Sequence, residues 1–387
     1  MIKQEINELK RLYTPSNCSI TRICGCYVDG EKNKKTEFKE AFLSLPEEEI
    51  FKYFELLRKT LSGSLGKNLL NLDFPLLSEQ EGGTQAALLA LRDSKLKDDA
   101  LIEEFYDRII STYEYVGNYL ILLIHDAYDV PGKTTDGLTM DDASDTVFEY
   151  IMCCICPVNL SKPGLSYDSI NNEFHNRIRD WVVEMPETGF LFPCFNDRAT
   201  DIHSTLFYSK NPEEAHGEFV ENILGCTLPL SAGTQKEAFQ ALIEETLGDE
   251  VGYEVVKNIH ENLTEMIEEH KEIPEPLTLD KHQVKNLFEK SGVKEEKLTD
   301  FDKLYDAAAG EDTSLFVNNV ANVRTFEVKT PDVVVKVNPE RADLVNTLQI
   351  DGKRCLVIEI NDHVEVNGIT IHQGVSLEDV SDEEEQE

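Results

Sequence analysis

Apolar residues recur at helical spacing in several segments of the chain, most clearly after Pro46. In PEEEIFKYFELLRKTL the proline opens the segment and three glutamates follow it. Carboxylates in the first turn complement the positive end of a helix, and Ile50, Phe54, Leu57 and Leu61 form one apolar stripe. The pattern therefore predicts a helix here. The same reasoning predicts helices over 1–12, 85–91 and 98–113.

From residue 118 the pattern changes to that of strands. Five segments are rich in apolar and β-branched residues and are separated by Pro, Gly, Asn and Asp: YLILLIHDAY, VFEYIMCCICPV, IRDWVVEM, GFLFPCF and STLFYSK. The segment 18–28 also has strand character. Because no helical segments alternate with these strands, the pattern indicates an antiparallel sheet and not a βαβ repeat.

After Pro212 helical spacing returns in five segments, and the chain then ends in short strands. The helical segments are 218–224, 236–247, 254–270, 281–291 and 295–309. The terminal strands are joined by turns written as Asp351-Gly352 and Asn367-Gly368, dipeptides typical of β-hairpins. The last eleven residues, LEDVSDEEEQE, contain seven acids and no base, which predicts a disordered acidic tail.

Together these patterns predict an α+β protein with an antiparallel sheet flanked by helices, an acidic helical segment and C-terminal β-hairpins. We expect four regions: an α+β domain over 1–212, a helical segment over 213–310, a small hairpin region over 311–376, and the tail over 377–387.

Charge narrows the classes of partner. The chain of 387 residues has 74 acidic and 37 basic residues, a net charge of −37. Such an excess of carboxylates opposes strong DNA binding unless basic residues are segregated on one surface. The apolar runs are far shorter than a membrane helix needs, and the first residues lack the features of a secretory signal, so we expect a soluble protein without membrane association.

The nine cysteines suggest a reducing compartment. Several lie within apolar, strand-like segments, as buried thiols of a cytoplasmic protein do. Two pairs, Cys24 with Cys26 and Cys154 with Cys156, have a spacing of two that places both members on one face of a strand. Four such thiolates on neighbouring strands could hold zinc, but burial as small apolar residues is the more ordinary role. We predict no cofactor and no metal.

Two polar segments carry the candidate chemistry. FHNRIRDW alternates His175, Arg177 and Arg179, and CFNDRATDIHS supplies a second group after a strand. If the two segments meet, guanidinium groups could bind a phosphate or carboxylate, and imidazoles and carboxylates could support hydrolysis, with or without a metal ion. The alternative is that these residues form structural ion pairs and turn caps. The catalytic candidates are His175, Asp197, Asp201 and His203, and the anion-binding candidates are Arg177, Arg179 and Arg198.

Several segments carry a resemblance to a bacterial family of unknown function. They include NCSITRICGCYVDGEK, SLPEEEIFKYFELLRKTLSGSLGKNLLNL, ICPVNLSKPGLSY and IRDWVVEMPETGFLFPCFNDRATDIHS. They resemble the family catalogued as domain of unknown function 4317, most clearly over 1–212 and more loosely to about residue 370. The resemblance implies a cytosolic protein of Gram-positive bacteria and brings no reaction, cofactor or catalytic residue. The order of the regions is also similar to that of large acidic nucleoid-associated proteins.

Two functions remain open at this stage. The first is a non-enzymatic cytoplasmic interaction protein, with attachment to the nucleoid through a localised basic surface or a protein partner as its narrower form. The second is an enzyme that acts on a small anion at the His, Arg and Asp residues named above. The sequence contains no recognisable catalytic motif, which favours the first.

Overall fold

The computed structural model describes residues 1–133, 139–140, 146–248, 251–322, 325–359, 364–366 and 369–371. Within them the chain is a mixed α+β protein with one large antiparallel sheet, as the sequence predicts. The predicted turn at Asn367-Gly368 and the predicted disordered tail lie outside the described residues.

The helices are α1 (Lys3–Lys10), α2 (Glu47–Thr60), α3 (Thr84–Asp93), α4 (Asp99–Thr112), α5 (Gly217–Phe219), α6 (Ala232–Leu247), α7 (Tyr253–Glu269), α8 (Lys281–Lys290), α9 (Phe301–Ala309) and α10 (Val317–Val320). Short 3-10 turns occupy Phe42–Ser44, Pro212–Glu214, Glu295–Leu298 and Pro339–Leu344, and a π-helical turn occupies Val220–Leu224.

The strands are β1 (Arg22–Val28), β2 (Lys34–Ala41), β3 (Leu69–Asp73), β4 (Asn118–Val130), β5 (Gly132–Lys133), β6 (Thr139–Met140), β7 (Thr146–Leu160), β8 (Leu165–Asp168), β9 (Glu173–Asn176), β10 (Trp181–Val183), β11 (Thr188–Phe192), β12 (Cys194–Asn196), β13 (Ala199–Asp201), β14 (Ser204–Ser209), β15 (Thr278–Leu279), β16 (Leu315–Phe316), β17 (Phe326–Lys329), β18 (Val334–Val337), β19 (Val345–Ile350), β20 (Lys353–Ile358), β21 (Val364–Val366) and β22 (Ile369–Ile371).

The large sheet has the strand order β2-β1-β4-β7-β11-β14-β3, and β10 also pairs with β7. Its two longest strands, β4 and β7, are paired over their full overlap from Asn118↔Val158 to Val130↔Thr146. Apolar residues at consecutive positions of β4 belong to two different core clusters, one on each face of the sheet. The long apolar runs of these strands therefore reflect a sheet that is covered on both sides.

Helices α1 and α2 cover one face and α3, α4 and the π-helical turn cover the other. Helix α2 begins directly after Pro46 with three glutamates in its first turn, as predicted, and buries Ile50, Phe54 and Leu57. Helix α4 is capped by the Asp98 carboxylate, which accepts hydrogen bonds from the amides of Ala100 and Leu101.

A third core cluster lies in the helical region. Helices α6 to α10 bury residues from Ala238 to Ala321 in it, including Phe239, Phe288 and Phe301. Residues 215–226 belong instead to the core of the large sheet, where Phe219 and Ile223 pack against α4 and β11. Three hairpins, β17-β18, β19-β20 and β21-β22, follow.

Candidate protein-docking arm

The four cysteines considered as zinc ligands lie on opposite faces of the sheet. Cys24 and Cys26 belong to the cluster under α3 and α4, whereas Cys154 and Cys156 belong to the cluster under α1 and α2. Burial raises the pKa of Cys24 to about 11 and that of Cys154 to about 12, so both are neutral thiols. Across the described ranges no three His, Cys, Asp or Glu side chains are grouped to hold a metal ion.

Arg198 lies in the two-residue turn between β12 and β13, and its guanidinium group is bound by protein acceptors. Its Nη1 donates to Glu8 Oε1 at 2.7 Å and to Glu8 Oε2 at 2.6 Å, and its Nη2 donates to the carbonyl oxygen of Pro131 at 3.0 Å. Asp197 and Arg198 have φ values of 50° and 58°. The turn thus directs Nη1 of the guanidinium group to α1 and Nη2 to the Pro131 carbonyl oxygen.

Asp201 and His203 also form local structural contacts. Asp201 Oδ2 accepts from Asn196 Nδ2 and Ser204 Oγ, each at 2.6 Å. Partial burial alone would raise the pKa of Asp201, but bonds from Ser204, the His203 amide and Asn196 lower it. His203 Nδ1 lies 2.6 Å from Glu79 Oε1, and this hydrogen bond raises the pKa of the exposed imidazole.

The other candidates lie on a different hairpin, at or after β9. His175 Nδ1 is 2.9 Å from the carbonyl oxygen of its neighbour Asn176, and Arg179 Nε donates to the Ser161 carbonyl oxygen at 2.6 Å. Strand β9 ends at Asn176 and β10 begins at Trp181, so Arg177 and Arg179 lie between the two strands. No hydrogen bond or ion pair joins this group to Asp197, Arg198, Asp201 or His203 among the described residues. The enzyme hypothesis, which needs the two groups in one pocket, therefore has no direct contact between them in its support.

The group of His175, Arg177 and Arg179 instead marks an unusual surface, residues 160–185, which we call the arm. It contains the end of β7, the β8-β9 hairpin and β10, and every residue from Ser169 to Met185 is exposed. Exposure at this level is ordinary for a polar loop, but the arm is rich in large apolar side chains. Of the 25 such side chains exposed in the described part of the chain, the arm carries ten. They are Leu160, Leu165, Tyr167, Ile170, Phe174, Ile178, Trp181, Val182, Val183 and Met185.

The arm holds its shape through its own contacts. Tyr167 and Phe174 are direct cross-strand partners, and their ring centroids are 5.3 Å apart. At the tip, Asp168 accepts from the amides of Ile170 and Asn171, and the first of these bonds is the main cause of the lowered pKa of its carboxyl. An apolar surface that is already ordered loses little conformational entropy when a partner covers it.

Strand β10 gives the arm an open backbone edge. It pairs with β7 through Trp181↔Leu160, Val182↔Asn159 and Val183↔Val158. The Glu184 amide donates to Pro157 and the Asp180 carbonyl accepts from Ser161 on the β7 side. Because alternate residues of an antiparallel strand face opposite edges, the backbone groups of Trp181 and Val183 face away from β7. No strand in the described part of the chain pairs with that side.

Two clefts lie elsewhere. One, of about 550 Å³, is bordered by α6, α7 and β17, and burial followed by the charge of Lys236 lowers the pKa of His260 within it. The other, of about 520 Å³, lies between α1, the turn after α2 and the segment after α7. None of the seven sequence candidates lines either cleft.

Sequence reasoning missed the residues that hold Arg198 and His203, namely Glu8 and Glu79, because they lie 190 and 124 positions away. It placed the end of FHNRIRDW in a predicted strand and its charges in a candidate site, but it did not predict an exposed apolar surface. The apolar residues between the charges, Phe174, Ile178 and Trp181, were the available signal for the exposed arm.

Comparison with known proteins identifies the chain at the level of a family. No curated protein matches it. No helix among the described residues is both long and apolar enough to span a bilayer. A family model described as "Domain of unknown function (DUF4317)" matches residues 1–369. Because this match covers nearly the whole chain, the protein belongs to the DUF4317 family.

Proposed function

We propose that this protein is a non-enzymatic interaction protein of the cytoplasm and that the arm is its docking element. The observation that carries the proposal is the group of ten large apolar side chains exposed within residues 160–185. Contiguous exposed apolar surface is rare on monomeric soluble proteins and marks binding surfaces. The nine cysteines, all free thiols, support the cytoplasmic location.

The energetic argument is one of buried area. Burying a large apolar side chain contributes roughly 1.5–3 kcal/mol, so even partial coverage of the arm could support a stable complex. The open edge of β10 adds directional hydrogen bonds for an extended partner strand. The alternative of an enzyme for small anions has less support, because Arg198 and His203 are engaged by Glu8 and Glu79.

Site-specific photocrosslinking in cells would test the docking role. A benzophenone amino acid would replace Tyr167 or Phe174 on the arm, and Leu43 would serve as the control because it is 65% exposed in the 3-10 turn before α2. We expect a discrete crosslinked product from the two arm positions and not from Leu43. Arm positions that give no more product than Leu43 would refute the docking role.

Attachment to the nucleoid is a narrower form of this proposal, and one cluster of cations favours it. Lys10 Nζ donates to Ser62 Oγ at 2.8 Å, and that hydroxyl donates to the Arg58 carbonyl oxygen. Burial, and then the charges of Arg58 and Lys59, lower the pKa of Lys10. None of the three forms an ion pair with another described residue. Such a cluster is the kind of local basic surface through which an acidic protein could contact DNA phosphates.

Fluorescence anisotropy with a labelled DNA duplex at about 50 mM NaCl would test this form, because phosphate contacts are strongest at low salt. Replacing Lys10, Arg58 and Lys59 together by alanine should abolish binding. Lys52→Ala, which removes a cation of α2 that faces Glu55 at 3.6 Å, should not. Absence of binding by the unaltered protein, or equal binding by the triple variant, would exclude this route to the nucleoid.

A further inference from the structure

We infer that the partner of the arm is a second copy of this chain, with the two arms packed against each other about a twofold axis and the two β10 edges paired. This inference rests on the docking role proposed above and identifies its partner. Three independent features of the arm support a second copy: its charge balance, its unpaired ionic groups and its backbone edge.

The arm is nearly neutral in a strongly acidic chain. Residues 160–185 contain three basic and four acidic residues, whereas the whole chain has a net charge of −37. Two copies of such a chain repel each other over most of their surfaces. Since this repulsion is smaller where positive and negative charges are balanced, two copies can bring their arms together at a lower electrostatic cost than their acidic surfaces.

Cations and carboxylates of the arm alike lack an ionic partner among the described residues. Lys162, Arg177 and Arg179 supply cations, and Glu173, Asp180 and Glu184 supply carboxylates. None of the six forms an ion pair with another described residue. In a dimer with a twofold axis, the cations of each arm can lie against the carboxylates of the other arm. A surface that carries charges of both signs can therefore pair both kinds of charge with its own copy. A uniformly acidic or basic partner could satisfy only half of them.

The backbone edge has the same self-complementary property. Antiparallel pairing of β10 with β10 of a second copy brings together the outward-facing backbone groups of Trp181 and Val183 on both chains. It also places Trp181 beside the apolar strand of the copy, where aromatic and β-branched side chains pair favourably. The residues that precede β10, including Arg179, then lie close to those that follow β10 of the copy, including Glu184.

Light scattering and sedimentation equilibrium on the full chain would measure the association. We expect a species of twice the chain mass of 43.9 kDa at micromolar concentration. Val183→Pro removes an outward amide and places a ring on the open edge, and it should weaken dimerisation by about tenfold or more. Leu43→Ser removes an exposed apolar side chain outside the arm and should leave the dimer unchanged.

Charge exchange gives the sharper test because it does not depend on loss of structure. Arg179→Glu and Glu184→Lys should each weaken the homodimer, and an equimolar mixture of the two variants should restore a dimer that contains one chain of each. Restoration requires that the two arms face each other. Weakening of both variants without restoration would overturn the proposed arrangement.

The two proposals can fail separately. A protein that stays monomeric at all concentrations while its arm crosslinks to a different protein in cells would refute the second copy and leave the docking role intact. A monomer whose arm forms no crosslinks would refute both.

Discussion

Arg198 Nη1 lies 2.6 Å from Glu8 Oε2 and connects the β12-β13 turn to the first helix of the chain. The backbone amide of Arg198 also donates to Glu5 Oε1 at 3.3 Å, and Tyr128 Oη donates to Glu8 Oε1 at 2.7 Å. Burial and then Glu8 raise the pKa of Tyr128, so its hydroxyl remains a donor. A residue considered as an anion ligand is therefore the centre of a structural network that holds α1 on the sheet.

The backbone of Arg198 makes this network testable with two substitutions at one position. Arg198→Ala removes the paired guanidinium and keeps a side chain at φ 58°, and it should lower the free energy of unfolding by about 1–3 kcal/mol. Arg198→Gly removes the same contacts but relieves the left-handed backbone, so its loss should be smaller by about 1 kcal/mol. Urea denaturation measures both, and equal losses would show that the turn is not strained.

The parts of the fold that the sequence predicts are those with local signals. Helix α2 has a proline, three glutamates and an apolar stripe within one segment, and the structure places it there. Strand β2 has no local signal, because few of its eight residues are apolar. All but two of them are exposed, as an edge strand permits. Strand β3, Leu69–Asp73, was missed because it follows directly on a glycine-rich helix stop.

The candidate site was less predictable for a physical reason. Apolar residues in a strand indicate that one face of the strand will be buried. They do not indicate whether it is buried by the same chain or by a partner. Leu165 and Phe174 of the arm, which are 76% and 72% exposed, have the same sequence character as Leu191 and Phe207 of the core. Partnerships such as Arg198 with Glu8 depend on packing between distant elements and leave no local pattern.

The hydrogen bond between His203 and Glu79 should make a pH-dependent contribution to the free energy of unfolding. Because the hydrogen bond to Glu79 raises the pKa of folded His203 above its usual value near 6.5, folding is favoured while the imidazole is protonated. That contribution is fully present at pH values below the pKa of His203 in the unfolded chain. It is lost as the pH rises through the higher pKa of His203 in the folded protein. The stability difference between the unaltered protein and Glu79→Gln should therefore be larger at pH 5.5 than at pH 8.5.

Proton NMR titration of the His203 ring would measure the cause directly. Its pKa should lie above about 6.5 in the unaltered protein and should fall in Glu79→Gln. A His203 pKa that does not change on this substitution would contradict the ion pair.

The large sheet has no room for a side chain at Gly189 of β11. A Cβ there would lie 2.4 Å from the carbonyl oxygen of Cys153 and 2.8 Å from Thr60 Cγ2. Since the backbone of the paired strand cannot move without disturbing the ladder, Gly189→Ala should destabilise the protein by about 1–3 kcal/mol. Gly217→Ala is the matched control, because a Cβ there meets no atom within 4 Å. Thermal unfolding would compare them, and similar melting temperatures would contradict the close contact.

Tyr150 and Asp126 form a fully buried polar contact in the layer below α1. The Tyr150 hydroxyl lies 2.8 Å from Asp126 Oδ2 and 3.0 Å from the Tyr13 hydroxyl, and Ser19 Oγ donates to Asp126 Oδ1 at 2.7 Å. Burial, and then the nearby Asp126 carboxyl, raise the pKa of Tyr150, so it stays a donor at neutral pH. Tyr150→Phe should leave Asp126 Oδ2 without this hydrogen bond inside the core, a loss of about 1–3 kcal/mol. Tyr13→Phe keeps the bond between Tyr150 and Asp126 and should cost less. If guanidinium denaturation shows the Tyr13 variant to be the weaker of the two, then Asp126 does not depend on Tyr150 for its satisfaction.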